Sequence, residues 1–225
     1  MEHFYLIEWA ATFVENLIIL CTTTAASGRR YQKARHYLAM LLSAVCLTVL
    51  ISILNSISAF SFLTPIISMC FVLLILSRIT STGSLLIRST ACIMAYLVII
   101  TAGYVIFVLF CSLYGGETYS TFTFFMSPGP FRVMFLTVDK MIDVLFYFFA
   151  RKSLLQISTL KKKYQMALMM ICLAAYISTQ YLFGVFLNTD NGALSAVVIF
   201  SWFFILAFVT ITIIAFILIA RSEQE

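Results

Sequence analysis

The chain has 225 residues, 63% of them apolar and 10% charged. A soluble domain is roughly half apolar and a quarter charged, so this composition excludes an ordinary soluble fold and points to an integral membrane protein with one domain. The net charge of +5 does not indicate a nucleic-acid partner. The basic residues sit in short clusters between hydrophobic runs, the distribution that orients membrane proteins.

Seven apolar segments follow one another along the chain. The first covers about residues 4–26 and carries Glu8 and Glu15, which are seven apart and share a helix face. Its start, MEHFYLIEWA, has Glu2 and no Lys or Arg, unlike a cleavable signal peptide, so a retained first span is expected. The basic link SGRRYQKARH leads to segment two at about residues 37–55. Segment three, about residues 63–77, has Pro65 in its first turn, where the missing N–H does no harm, and is short for a span. A link over residues 78–88 leads to segment four, about residues 89–114. An aromatic link, GGETYSTFTFFMSPGP, follows. Its Tyr119, Phe122, Phe124 and Phe125, with Phe131, fit an interfacial belt or the lining for an apolar ligand.

Segment five, residues 131–152, reads FRVMFLTVDKMIDVLFYFFARK. It is apolar enough to cross a bilayer, yet Asp139, Lys140 and Asp143 lie inside it and Arg132 at its start. An ionised side chain at membrane depth costs several kcal/mol, about 2.5–3.5 on insertion scales, and is normally paired or turned to protein or water. Segment six, about residues 164–187, follows the basic link RKSLLQISTLKKK, and segment seven covers about residues 196–220. Residues 1–220 then form the polytopic membrane domain, and residues 221–225 begin a tail.

Links after segments one, three and five, with the tail, hold twelve of the fourteen basic residues. The positive-inside rule places these in the cytoplasm and the amino end outside. The expected fold is therefore an all-α bundle of about seven transmembrane helices in a cell membrane, in contact with lipid.

At about 1.5 Å per residue, Asp139 lies roughly 12 Å below the outer start of segment five, Asp143 about 18 Å, and Glu15 about 16 Å below the start of segment one. Lys140 is within reach of all three carboxylates. This group is the candidate site: an ion-pair cluster holding segments one and five together, a polar cavity open to the outside that helps bind a ligand or transmits its arrival, or a proton or ion path. Arg132 and Glu8 lie nearer the outer face and can pair with each other or meet an extracellular ligand. Asn55 and Gln180, near the outer ends of segments two and six, suit interhelical hydrogen bonds.

The six cysteines fall in apolar runs with no CxxC pair and no neighbouring histidine, so they read as small packing residues, with no metal, cofactor or disulfide framework expected. No P-loop, HExxH or GxSxG occurs, and no Lys follows Lys163 to carry a retinal Schiff base. The chain has no recognisable active site.

The run ENLIILCTTTAASGRRYQKARHYLAMLLSAVCLTVLISILNSISAFSFLT resembles the membrane sensor half of peptide-responsive histidine kinases of the accessory gene regulator (AgrC) type. The likeness is carried by Glu15 in the first helix, the basic first link, the turn at Ile53, Leu54, Asn55 and Ser56, and the Ser–Phe–Leu–Thr entry to segment three. Arg132, Asp139 and Lys140 in a later helix extend it. The resemblance implies a receptor for a secreted autoinducing peptide in a bacterial cytoplasmic membrane, often dimeric. It also implies signalling through the last helix to a cytoplasmic ATP-binding kinase module. This chain carries no phosphoacceptor His after its last segment and no ATP-binding boxes, so it is not expected to be an enzyme by itself. A small-solute transporter, or its substrate-binding membrane subunit, predicts helices broken near the buried charges. A structural membrane protein predicts a partner for every buried charge and no cavity.

Overall fold

The computed structural model describes the backbone of residues 2–57, 63–114, 127–187 and 192–222. Among these residues the chain is all-α, with no β-strand. The helices are α1 (Glu2–Ser27), α2 (Lys33–Ser56), α3 (Thr64–Thr80), α4 (Leu85–Tyr114), α5 (Pro130–Ile157), α6 (Lys162–Leu187) and α7 (Gly192–Ser222). Each stands over one of the seven apolar segments. The aromatics of the link at 115–126 lie outside the described residues.

Four helices, α1, α2, α4 and α6, are long and apolar enough to cross a membrane. The outward surface agrees with that: Phe149 is 82% exposed and Phe200, Phe204, Tyr181 and Tyr5 are nearly as bare. Contiguous apolar surface on this scale is rare on proteins that meet water. The chain is a helical membrane protein.

Helix ends fall beyond several of the expected boundaries. Arg78 and Arg88, read as link residues, lie in the last turn of α3 and the first turns of α4. Arg151 and Lys152 lie inside α5, which runs on to Ile157. Helix propagation costs little once a turn has formed, so hydropathy marks the lipid-depth stretch and not the helix end. The short α3 begins with Pro65 in its first turn, as expected, and contains a π-helical stretch, Val72–Leu76. It spans about 25 Å by its rise.

Helices α1 and α5 run parallel. Glu8 meets Arg132, Glu15 meets Lys140, and Cys21 and Tyr147 line the same cleft. Steps of seven and six residues on α1 match steps of eight and seven on α5, as two parallel helices in register require. Helix α4 packs against both α1 and α6. Asn16, fully buried on α1, donates through Nδ2 to Thr48 Oγ1 on α2 at 2.9 Å, and Tyr96 Oη on α4 donates to Ser68 Oγ on α3 at 3.1 Å. Such bonds hold helices together where lipid offers no hydrophobic drive.

The basic links gather at one end of the bundle. Gly28 closes α1 at φ +83°, a left-handed position that suits glycine, and its N–H donates to Thr24 O at 2.9 Å. Gly28 O then accepts from the Thr82 N–H, while Thr80 O accepts from the Arg30 N–H, both at 3.2 Å. These bonds tie the first link to the third. Gln165 Nε2 on α6 donates to Leu160 O at 2.9 Å and Ile157 O at 3.3 Å, capping the carbonyls left open at the end of α5.

Gly83 presses on the end of α1. A Cβ there would stand 2.5 Å from Ser27 Cβ and 2.8 Å from Ser27 O. Because backbone cannot yield as a side chain does, Gly83→Ala should destabilise the protein by about 1–3 kcal/mol. Unfolding in bilayer discs or mild detergent would measure this, and an unchanged midpoint would contradict the contact.

Candidate functional site

Two apolar clusters fill the interior. One, towards the amino ends of α1 and α5, centres on Phe107, Phe135, Leu136 and Ile106 and takes in Ile7, Ala11 and Phe183. The larger one runs to the basic end and includes Ile18, Leu20, Leu47, Leu97, Leu154 and Leu168. Glu15, Asp139, Lys140 and Asp143 lie where the two meet. Val14 and Val144 belong to the larger cluster, and Ala11 and Val138 to the smaller.

The sequence pattern explains this convergence. Asp139 and Asp143 are one helical turn apart, and Lys140 lies between them on a neighbouring strip of α5. The parallel register of α1 carries Glu15 to the same level. Lys140 Nζ stands 2.6 Å from Asp139 Oδ2 and 3.0 Å from Asp143 Oδ2, and pairs as well with Glu15 Oε1. One ammonium therefore serves three carboxylates. Asp139 is 5% exposed and Asp143 1%, whereas the Glu15 side chain keeps a third of its surface open.

The carboxylates are not fully satisfied. Asp139 Oδ1 and Asp143 Oδ1 are buried with no hydrogen-bond partner among the described residues. An orphaned oxygen of this kind carries the whole desolvation cost of its group. Asp139 Oδ1 faces Gly103 on α4, where a Cβ would stand 3.4 Å away. Oxygens of Glu15, Asp139 and Asp143 lie within 4.8 Å of one another. Hard cations are held by oxygen sets of this kind, and here Lys140 supplies a positive charge at that place. This carboxylate set is the one for which the sequence pattern leaves an ion path open.

Glu8 and Arg132 form their own pair, one turn from the amino end of α5, with Arg132 Nε donating to Glu8 Oε1 at 3.2 Å. The guanidinium also lies over the Phe135 ring, 5.7 Å from its centroid. Asn55 sits exposed near the end of α2, a helix that contributes nothing to the tetrad. Gln180 behaves as an interhelical bonder: its Oε1 accepts from Tyr104 Oη at 2.9 Å. Asn16, beside Glu15, was not singled out from the sequence; a polar residue next to a buried acid was the available signal.

A groove of about 490 Å³ runs along the outer seam of α1 and α5, from Ile7 and Ala11 past Thr137 to Lys140 and Val144. Its walls are apolar except at Thr137 and Lys140. The groove joins the lipid-facing surface to the edge of the tetrad.

The geometry defines a helical membrane protein with a charged tetrad inside its bundle. No family model, curated protein or solved structure matches the chain.

The four charges are not equivalent, which sharpens their mutational signature. Lys140→Met strands three carboxylates and should destabilise by about 3–5 kcal/mol. Glu15→Gln should cost less, because Lys140 keeps both aspartates. Adding Glu15→Gln to Lys140→Met should recover part of the loss. Asp143→Asn, which removes surplus charge, should be the mildest change. Unfolding free energies in bilayer discs would rank the set, and equal losses at all positions would contradict the shared ammonium.

Proposed function

We propose that this chain is the receptor domain of a membrane sensor for an extracellular signal. The lateral groove takes the signal, and the tetrad couples α5 to α1. In this reading the bundle crosses a bacterial cytoplasmic membrane seven times. The amino end is outside, and α7 carries the change inward to a kinase module or other effector. The gathering of the first, third and fifth links at one end, rich in Arg and Lys, supports that orientation. The resemblance to AgrC-type sensors suggests a secreted peptide as the signal, and a homodimer.

The observation that carries the reading is the groove ending at an incompletely satisfied charge cluster. A ligand that favours one arrangement of such a cluster shifts an equilibrium between two packings. Every charge of the tetrad has an ion-pair partner, as a structural cluster requires, but the groove beside it and the unpartnered Asp139 Oδ1 and Asp143 Oδ1 favour a binding role. Helices α1 and α5 are unbroken through Glu15 and through Asp139–Asp143, unlike the interrupted helices at the binding sites of many transporters. The surplus of carboxylate over ammonium favours a second reading, cation-coupled solute transport.

Hydrogen exchange of the protein in bilayer discs distinguishes the two. The probe is the peptide fraction of medium from dense cultures of the source cells, with fresh medium as the control. The sensor reading expects added protection in α5 around Lys140 with the dense-culture fraction alone. Thr137→Trp, which fills the groove from an exposed position, should abolish that protection without lowering thermal stability. No protection, with solute-driven cation uptake in proteoliposomes that Asp143→Asn abolishes, would establish transport instead.

A further inference from the structure

At the basic end a second cavity opens, about 250 Å³ in volume, between α1, α2 and α5. Its walls include Arg29, His36, Tyr37, Tyr147 and Arg151, and no carboxylate is among them. Drug-sized ligands occupy about 300–1,000 Å³, so this space suits a smaller group. Three helices contribute to it, so it is a shaped cleft and not one face of a loop.

The charge around it is unbalanced. Among the described residues, no carboxylate forms an ion pair with Arg29 or Arg151. Arg30 is close by, its Nη1 donating to Arg78 O. His36 is 2% exposed, and its Nδ1 has no hydrogen-bond partner among the described residues. The Arg29 guanidinium lies over the Tyr37 ring, 5.9 Å from its centroid, and both residues line the cleft. Two guanidinium groups beside a small cavity without a carboxylate form a donor set for a tetrahedral oxyanion, which guanidinium groups bind with paired, charge-assisted hydrogen bonds.

We propose that this cleft binds a phosphate group through Arg29 and Arg151. Bound there, a phosphate bridges the end of α1 to α5 and relieves the repulsion among the arginines. The cleft lies where α1 and α5 leave the apolar bundle. The phosphate therefore comes either from an anionic lipid headgroup or from a soluble phosphate.

The test uses the whole chain in discs of phosphatidylcholine. Inorganic phosphate is titrated against chloride at matched ionic strength while thermal unfolding is followed. A parallel arm replaces part of the lipid with phosphatidylglycerol and detects retained lipid by native mass spectrometry. A saturable rise in midpoint with phosphate but not chloride supports the site with a soluble ligand. A rise and co-purification with phosphatidylglycerol supports it with a headgroup. In either arm, Arg29→Gln and Arg151→Gln should each weaken apparent affinity about tenfold. Lys162→Gln and Lys163→Gln, at the same end but outside the cleft, should change it less than twofold. Both arginines have exposed side chains, and the phosphate-against-chloride comparison in the unaltered protein decides the question without them. No effect in either arm, or equal losses in the arginine and lysine variants, would overturn the proposal.

Discussion

The Lys140 ammonium lies between two apolar clusters and is satisfied almost wholly by carboxylates. In a helical bundle among lipids, apolar contacts between helices give no more than contacts with lipid. A desolvated ammonium is different, because separation from its partners would leave charges bare at a cost of several kcal/mol. That constraint sets the parallel register of α1 and α5. The Glu8–Arg132 pair and the juxtaposition of Cys21 and Tyr147 extend it towards either end. Gly103 lets α4 close against Asp139 because it has no side chain to obstruct the carboxylate.

The same cluster is not a completed structural lock. One ammonium among three carboxylates satisfies some oxygens and strands Asp139 Oδ1 and Asp143 Oδ1. A buried polar network is most rigid when every member is satisfied, and this one leaves two oxygens without partners. The groove at its edge gives an outside molecule access to that seam from the lipid-facing side. The two proposed readings, signal reception and cation coupling, both rest on this imbalance and differ in whether a ligand or an ion acts on it.

Charge is segregated along the bundle. Carboxylates described in the structure lie at Glu8, Glu15, Asp139 and Asp143, while arginines crowd the opposite end. Positive charge of this kind orients a protein in its membrane, but orientation does not require a cleft. The Gly28–Thr82 and Arg30–Thr80 backbone bonds bring the first and third links together, and the parallel course of α5 brings Arg151 to Arg29. The packing thereby turns an orientation signal into a shaped surface for an anion.

Much of this was legible in the residues themselves. The seven apolar segments and the shared depth of Glu15 with Asp139–Asp143 follow from composition, periodicity and helical rise, which are local properties; the Glu8–Arg132 pair was one of the alternatives the sequence left open, and the packing decides for it. Helix ends were less legible, because Arg78, Arg88 and Arg151 continue helices beyond the apolar stretch that hydropathy detects. The sequence could not reveal how the charges are shared, which oxygens are stranded, or that Gly103 faces Asp139. Nor could it reveal that Arg29, His36 and Arg151 surround one cleft. Those depend on how helices distant in the chain rotate and press together, and only their packing decides which atoms meet.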